Sequence, residues 1–352
     1  MAHVALETRM SFPILENVAK SARHTTFYLS CGAAGATPII FVHGWPELSI
    51  SWRAQLPEFA GLGFRAIAPD MRGYGRSSVH PRHEDYALEE IVADMVELLG
   101  ALGAEKAIWV GHDWGAPVVW SIAQEHPELC HGVAYLCVPY QPEGFAVETV
   151  VPLADRAVYP PDKFPAAQWD YQLFYRESFD AAVAGFERNV GKTVRALFRA
   201  GDPAGRGKPA RTSYMRANGG YFGPGGRPAP DLPRDPAILD EEEERRYASA
   251  LERNGFFGPC SWYMNWEANI AYAGRSKANW RLHMPVLFLH AAYDYICETL
   301  VSRLADPMRA NCDNLTEATI ASGHWMAQEK PVEVNAALAK WLGAQFPALW
   351  AA

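Results

Sequence analysis

Gly111-His112-Asp113-Trp114-Gly115 decides how the rest of this chain is read. The apolar run Ala107-Ile108-Trp109-Val110 before it reads as a buried strand, and residues 116–126 after it read as a helix. A Gly-x-nucleophile-x-Gly turn between strand and helix needs small residues on both sides, because its middle residue is held in a strained conformation. The middle side chain then sets the chemistry. A serine attacking carbonyl carbon leaves an ester that water splits, but on saturated carbon it would leave an inert ether. An aspartate attacking saturated carbon leaves a hydrolysable ester. Asp113 therefore points to a substrate electrophilic at sp3 carbon, such as an epoxide or an alkyl halide. Alone, Gly-x-Asp-x-Gly is as readily an ordinary turn. The rest of the chain separates the two readings.

Outward from this turn, short apolar runs alternate with helical patterns. Residues 38–42, 64–68 and 133–138 read as further strands, and residues 88–102 place Leu88, Ile91, Val92, Met95, Leu98, Leu99 and Leu102 at helical spacing. This rhythm implies a mostly parallel sheet with helices on both faces. It breaks after Pro139-Tyr140-Gln141-Pro142. From there to about residue 277 the chain reads as helices (around Tyr171, over 180–198 and over 241–254), interrupted by a Gly/Pro-rich stretch over 201–236. The rhythm resumes with strands at 285–290 and 316–320 and a helix over 331–345. The expected organisation is an α/β core formed by residues 1–140 and 279–352, split by an inserted helical cap at 141–278. Residues 241–246, four glutamates and two arginines, suit a solvated helix start with acids at the positive end of the dipole.

Composition narrows the class without naming a chemistry. The chain has 352 residues, 49% hydrophobic and 20% charged, as an ordinary globular protein has. Its net charge of −8 disfavours nucleic acid or an anionic membrane surface as partner. The six cysteines lie scattered, without a C-x-x-C pair or a metal-like cluster, and read as free thiols of a reducing compartment. No signal-length apolar segment opens the chain, no run reaches membrane-spanning length, and Leu349-Trp350-Ala351-Ala352 is no recognisable address. A cytosolic protein without metal or cofactor is expected, as monomer or homodimer.

A carboxylate nucleophile is ionised at neutral pH, since a free aspartate titrates near about 3.9, so the first step needs no base. The second step, attack of water on the ester, does. His324 in Ser322-Gly323-His324-Trp325 is the candidate, with His43, His112 and His290 as competitors. A histidine in that role needs an acid to fix its tautomer and stabilise its imidazolium, and Asp294 follows the strand ending at His290. Asp113, Asp294 and His324 each sit at the carboxyl end of an expected strand, where open α/β sheets place their sites.

His43-Gly44-Trp45-Pro46-Glu47, residues 70–77 and Gly111-His112-Asp113-Trp114-Gly115-Ala116 together resemble the epoxide hydrolases of the α/β-hydrolase fold, over about residues 12–346. The order nucleophile, acid, histidine is also theirs. The resemblance implies that the Trp45 and Trp114 amides form an oxyanion hole. It also implies a cis bond before Pro46. Residues 70–77 read as a structural turn.

An epoxide oxygen leaves as an alkoxide and needs an acid, for which a phenol serves. Trp169-Asp170-Tyr171-Gln172-Leu173-Phe174 and Gly258-Pro259-Cys260-Ser261-Trp262-Tyr263 resemble the segments that carry two cap tyrosines in that family. Tyr171 and Tyr263 are thus the expected acids, with Tyr175 as competitor. Trp45, Trp114, Trp169, Phe174, Trp262 and Trp266 suggest an apolar lining and a small apolar epoxide as substrate, opened to a vicinal diol. The runner-up is a haloalkane dehalogenase, which Trp114 would also suit. A remote third reading is a hydrolase-like binding protein without turnover.

Overall fold

The apolar runs of the sequence become the middle of one sheet. A computed structural model describes residues 12–350; the readings made on residues 1–11 and on Ala351-Ala352 lie outside them. Eight strands form the sheet: β1 (Leu15–Lys20), β2 (Thr25–Cys31), β3 (Pro38–Val42), β4 (Arg65–Pro69), β5 (Ala107–His112), β6 (Cys130–Leu136), β7 (Leu282–Ala291) and β8 (Cys312–Ile320). Their order is β1-β2-β4-β3-β5-β6-β7-β8. β1 and β2 pair antiparallel, β2 meets β4 antiparallel, and every later pairing is parallel. β3 and β5 are buried at every residue, as strands covered on both faces must be. Their side chains therefore lack the alternation of a half-exposed strand.

Helices Leu88–Ala101, Gly115–Glu125 and Pro331–Gln345 form where the periodicity places them. The chain between β6 and β7 is helical, with Asp170–Glu177, Phe179–Glu187, Val190–Leu197, Glu241–Asn254 and Trp266–Ala273 as its longer elements. Two expected elements differ. The single helix over 180–198 is two, because Asn189 leaves helical geometry (φ −157°) and its side chain caps the second helix by accepting the Lys192 amide at 2.9 Å. The strand over 133–138 stops at Leu136, since Cys137 has a φ of 67°. β1 and β2 had no sequence reading. The Gly/Pro-rich stretch holds only short turns, with left-handed glycines at 219, 220 and 223. All six cysteines are unpaired and buried. Among the described residues no helix is long and apolar enough to cross a membrane.

Candidate active site

Asp113 stands at the end of β5 with a φ of 48°, a region a side chain adopts only under local compulsion. The compulsion is visible on both sides. A Cβ at Gly111 would collide with the Gly115 carbonyl, and one at Gly115 with that of Val42, so both glycines are required. The turn lifts the Asp113 carboxylate above the sheet edge. There the Trp45 amide donates to Oδ1 at 2.6 Å. The Trp45–Pro46 bond is cis. Gly44 passes so close that a Cβ would overlap the Asp113 carboxylate, and it would come within 2.6 Å of the Trp114 nitrogen.

His324, past β8, faces Asp113 with its Nε2 3.4 Å from Oδ2. Its Nδ1 lies 2.6 Å from Asp294 Oδ2. Asp294 is almost wholly buried (1% side-chain exposure), whereas Asp113 and His324 keep 15% and 17% and present more of their surface to the cavity. Burial by itself would raise the Asp294 carboxyl. The facing His324 and the Ile296 and Cys297 amides, which donate to Oδ1 at 3.0 and 3.1 Å, outweigh it and hold the group below its ordinary value. For His324 burial works against the proton, but Asp294 and Asp113 overcome it and raise its affinity well above the usual value. The competing histidines are committed elsewhere. His43 accepts the Met71 amide at Nε2 and donates Nδ1–H to the Gly44 carbonyl, and His290 lies between Thr299 and Glu317.

His112 is committed in a different way. Its Nδ1 is 2.7 Å from Glu47 Oε2 and its Nε2 is 2.7 Å from the His324 carbonyl oxygen, both acceptors. Two acceptors require two donors, so the ring is an imidazolium. Its charge holds the buried Glu47 carboxyl down to about 2 against the effect of burial. Glu47 also accepts the Gly44 amide and the Gln328 side chain, which ties its own loop to the end of β5 and to the helical turn Met326–Glu329. Ligand atoms of His112, Cys137 and His324 lie within 4.8 Å of one another, the only such metal-like group among the described residues. Both His112 nitrogens and His324 Nδ1 already face hydrogen-bond partners, which leaves little for an ion.

A cavity of about 540 Å³ opens above these groups, lined by Trp45, Asp113, Asp294, His324, Tyr171 and Tyr263 among others. The two phenols come from different helical elements, Asp170–Glu177 and the turn Trp262–Met264, and their rings stand 5.6 Å apart at 78°. Burial, with the Asp113 charge adding to it, keeps both protonated far above the usual phenol range. Gln172 approaches the Tyr171 hydroxyl at 3.5 Å. Tyr175 lies behind, stacked on Tyr263 at 4.5 Å and outside the cavity wall.

The expected aromatic lining needs correction. Trp45 is in the wall, but Trp114, Trp169, Phe174, Trp262 and Trp266 are not. Trp114 supports Tyr263 edge-on at 5.1 Å, and Trp262 donates its indole N–H to the Arg72 carbonyl. Trp169 is fully buried, Phe174 packs beneath Gly220, and Trp266 carries the Arg176 guanidinium at 3.8 Å. Helical amphipathicity turned these rings into packing. The wall is supplied instead by the Gly/Pro-rich stretch, through Gly201, Pro209, Ala210, Arg211 and Tyr221. Tyr221, 6.0 Å from the Trp45 ring, had no sequence signal beyond its place between left-handed glycines.

Residues 37–331 match the family described as alpha/beta hydrolase fold. Epoxide hydrolase A of Mycobacterium tuberculosis is 34% identical over 337 residues, covering 89% of this chain and 92% of that protein. The bifunctional epoxide hydrolase 2 of Sus scrofa is 34% identical over 310 residues; there the chain spans about half (52%) of the relative's length. The crystal structure of epoxide hydrolase A from Mycobacterium thermoresistibile superposes with a TM-score of 0.75 at 31% identity, covering 94% of this chain and 98% of that one. A strained elbow aspartate, an acid–histidine pair and two roof phenols, on this fold and with these relatives, lead to one conclusion: the chain belongs to the epoxide hydrolases of the alpha/beta hydrolase family.

Proposed function

We propose that this protein converts small apolar epoxides to vicinal diols through a covalent ester on Asp113. Residues 141–278 act as a cap over the core of 1–140 and 279–352. Tyr171 and Tyr263 hydrogen-bond the epoxide oxygen while an Asp113 oxygen attacks a ring carbon from the opposite side. The carbon–oxygen bond breaks, and the leaving alkoxide takes a phenol proton. His324 then removes a proton from water, and the hydroxide adds to the ester carbonyl. The oxyanion is held by the Trp45 amide, which already donates to Asp113 Oδ1, and by that of Trp114. Collapse releases the diol and regenerates the carboxylate, and the proton taken up by His324 returns through water to the phenolate.

The observation that carries this reading is the placing of opposite chemistries in the wall of one cavity: the Asp113 carboxyl group and two phenols that burial keeps protonated. Electrostatics supports the order of steps. Ester formation removes the Asp113 charge that faces His324, which lowers the imidazole's hold on its proton as a base becomes necessary. A cytosolic setting without cofactor fits this chemistry. Halide displacement is the competing use of an elbow aspartate, but it gives the two phenols no role, and bromide release from a bromoalkane would reveal it.

Single turnover in 18O-water is the test. The first diol should carry no label, and Asp113 should gain it. Label in the first diol would rule out the covalent route.

A further inference from the structure

The cavity over Asp113 has a third phenol in its wall beside Tyr171 and Tyr263: that of Tyr221. It enters from the Gly/Pro-rich stretch, where Gly219, Gly220 and Gly223 take left-handed φ values of 65°, 129° and 111° on either side of it. A Cβ at Gly220 would press on the Phe174 ring at 3.3 Å, so packing holds the bend that the glycines permit. The Arg211 guanidinium donates to the Tyr221 carbonyl at 2.9 Å. The ring itself leans on Phe186 at 5.0 Å and on Trp45 at 6.0 Å, and Trp45 is the residue whose amide holds the Asp113 carboxylate. Tyr221 is thus fixed beside the reacting groups.

What fixes the ring leaves its hydroxyl unused. The Tyr221 oxygen has no hydrogen-bond partner among the described residues, yet the side chain is only half-buried and the oxygen is not enclosed, unlike that of Tyr175. Desolvation, with the Asp113 charge adding to it, keeps this hydroxyl protonated well above the usual phenol range, so it acts as a donor. Other neutral donors of the wall are spent or sealed. The Tyr295 hydroxyl donates to the Asp202 carbonyl at 2.8 Å, the Trp325 indole donates to the Leu197 carbonyl at 2.9 Å, and the Trp45 indole nitrogen is enclosed. A phenylalanine at 221 would make the same ring contacts, so the oxygen has no use in packing.

We infer that Tyr221 sets specificity: its hydroxyl donates to a second oxygen of the substrate, carried one carbon away from the epoxide ring as in a glycidyl ether. This rests on the proposed epoxide chemistry and deepens it, since such a substrate is still small and mainly apolar. With the epoxide oxygen held by Tyr171 and Tyr263, the substituent runs along the rest of the wall and displaces water from it. Against an all-carbon substituent the Tyr221 hydroxyl loses its water and gains nothing. An ether oxygen restores the lost bond, and a site built this way discriminates against the analogue without it. The oxygen belongs close to the ring, because Tyr221 lies within electrostatic reach of Asp113, His324 and both other phenols.

The test compares phenyl glycidyl ether with its carbon isostere, 4-phenyl-1,2-epoxybutane, as the ratio of their kcat/KM values within each protein. Taking the ratio cancels any difference in the fraction of folded enzyme, and comparing proteins cancels the intrinsic reactivity of the two epoxides. Tyr221→Phe should lower the ether-to-carbon ratio about tenfold, chiefly by loss on the ether. Tyr221→Leu also lacks the hydroxyl and carries the test if the phenylalanine variant fails to fold. Tyr293→Phe, which alters another phenol of the wall, should leave the ratio as in the wild type. A ratio that survives loss of the Tyr221 hydroxyl overturns the inference, as does a fall produced by Tyr293→Phe instead. Equal losses on both substrates also overturn it, since they would make Tyr221 a packing residue only. If the wild type opens neither epoxide, the epoxide reading falls and this inference with it.

Discussion

The two sides of the central cavity are built on opposite rules. On the sheet side the acidic groups are partnered: Asp294 accepts two amides and faces His324, and Asp113 accepts the Trp45 amide. On the helical side Tyr171 and Tyr263 are neutral, packed edge to face, and bonded weakly or, for the Tyr263 hydroxyl, to no protein group among the described residues. A buried charge is tolerable only when hydrogen bonds replace lost water, so the sheet edge supplies strand-end loops full of amides. A neutral donor meant for a substrate must be left unsatisfied by the protein, so the helices supply aromatic walls without acceptors. The contrast teaches where each protonation state comes from: partners below, burial above.

Breaking the charged side should give the largest effects. Asp113→Ala should reduce epoxide turnover on the order of 10⁴-fold or more with the fold kept, by steady-state diol formation and circular dichroism. His324→Gln should reduce turnover on the order of 10³-fold and, unlike the alanine variant, accumulate a substrate ester on Asp113 visible by mass spectrometry. An unmodified Asp113 after exposure would count against the assigned base. On the neutral side, Tyr171→Phe with Tyr263→Phe should slow ring opening by about 10²–10⁴-fold in rapid-quench single turnovers, with either single variant milder. Near-normal ring opening would show that other acids act.

The dependence of one side on the other's charge can be read by titration. Asp113 and Asp294 both raise the proton affinity of His324. Asp113→Asn removes one negative charge, so the His324 midpoint followed by NMR should fall; an unchanged midpoint would break the link between ester formation and base release. The same groups set stability. His324, raised on folding, contributes fully below its unfolded value of about 6.5, and this is lost as pH rises through the higher folded value. Asp294, depressed on folding, contributes above about 3.9, and this is lost as pH falls through its lower folded value. Denaturant unfolding of Asp294→Asn should therefore show a weaker dependence on pH at both ends. The smallest effect belongs to Trp266→Leu, which removes the ring under Arg176 but nothing from the cavity: turnover unchanged and stability lower by about 1 kcal/mol.

Most of the parallel sheet was legible because β3, β5 and the middle of β7 are fully covered and so had to be continuous apolar runs. β1 was not, since Leu15–Lys20 is an edge strand that pairs on one side only and carries no apolar face of its own. The elbow at Asp113 was legible from its flanking glycines, whose smallness is a local requirement. The Asp113, Asp294 and His324 constellation was legible from chain order and strand ends. Tyr171 and Tyr263 became visible only through resemblance, because nothing local distinguishes a substrate-facing phenol from Tyr175 one helical turn away.

By itself, then, the sequence determined the alternation of strands and helices, the strained turn and the residue types of the chemistry, because these depend on neighbours along the chain. Tertiary structure alone decided which aromatics face the cavity, that Gly201, Pro209, Ala210, Arg211 and Tyr221 help to wall it, and that His112 is an imidazolium between Glu47 and the His324 carbonyl. Those properties depend on contacts between segments far apart in the chain, whose distances and burial exist only once the helices have closed over the sheet.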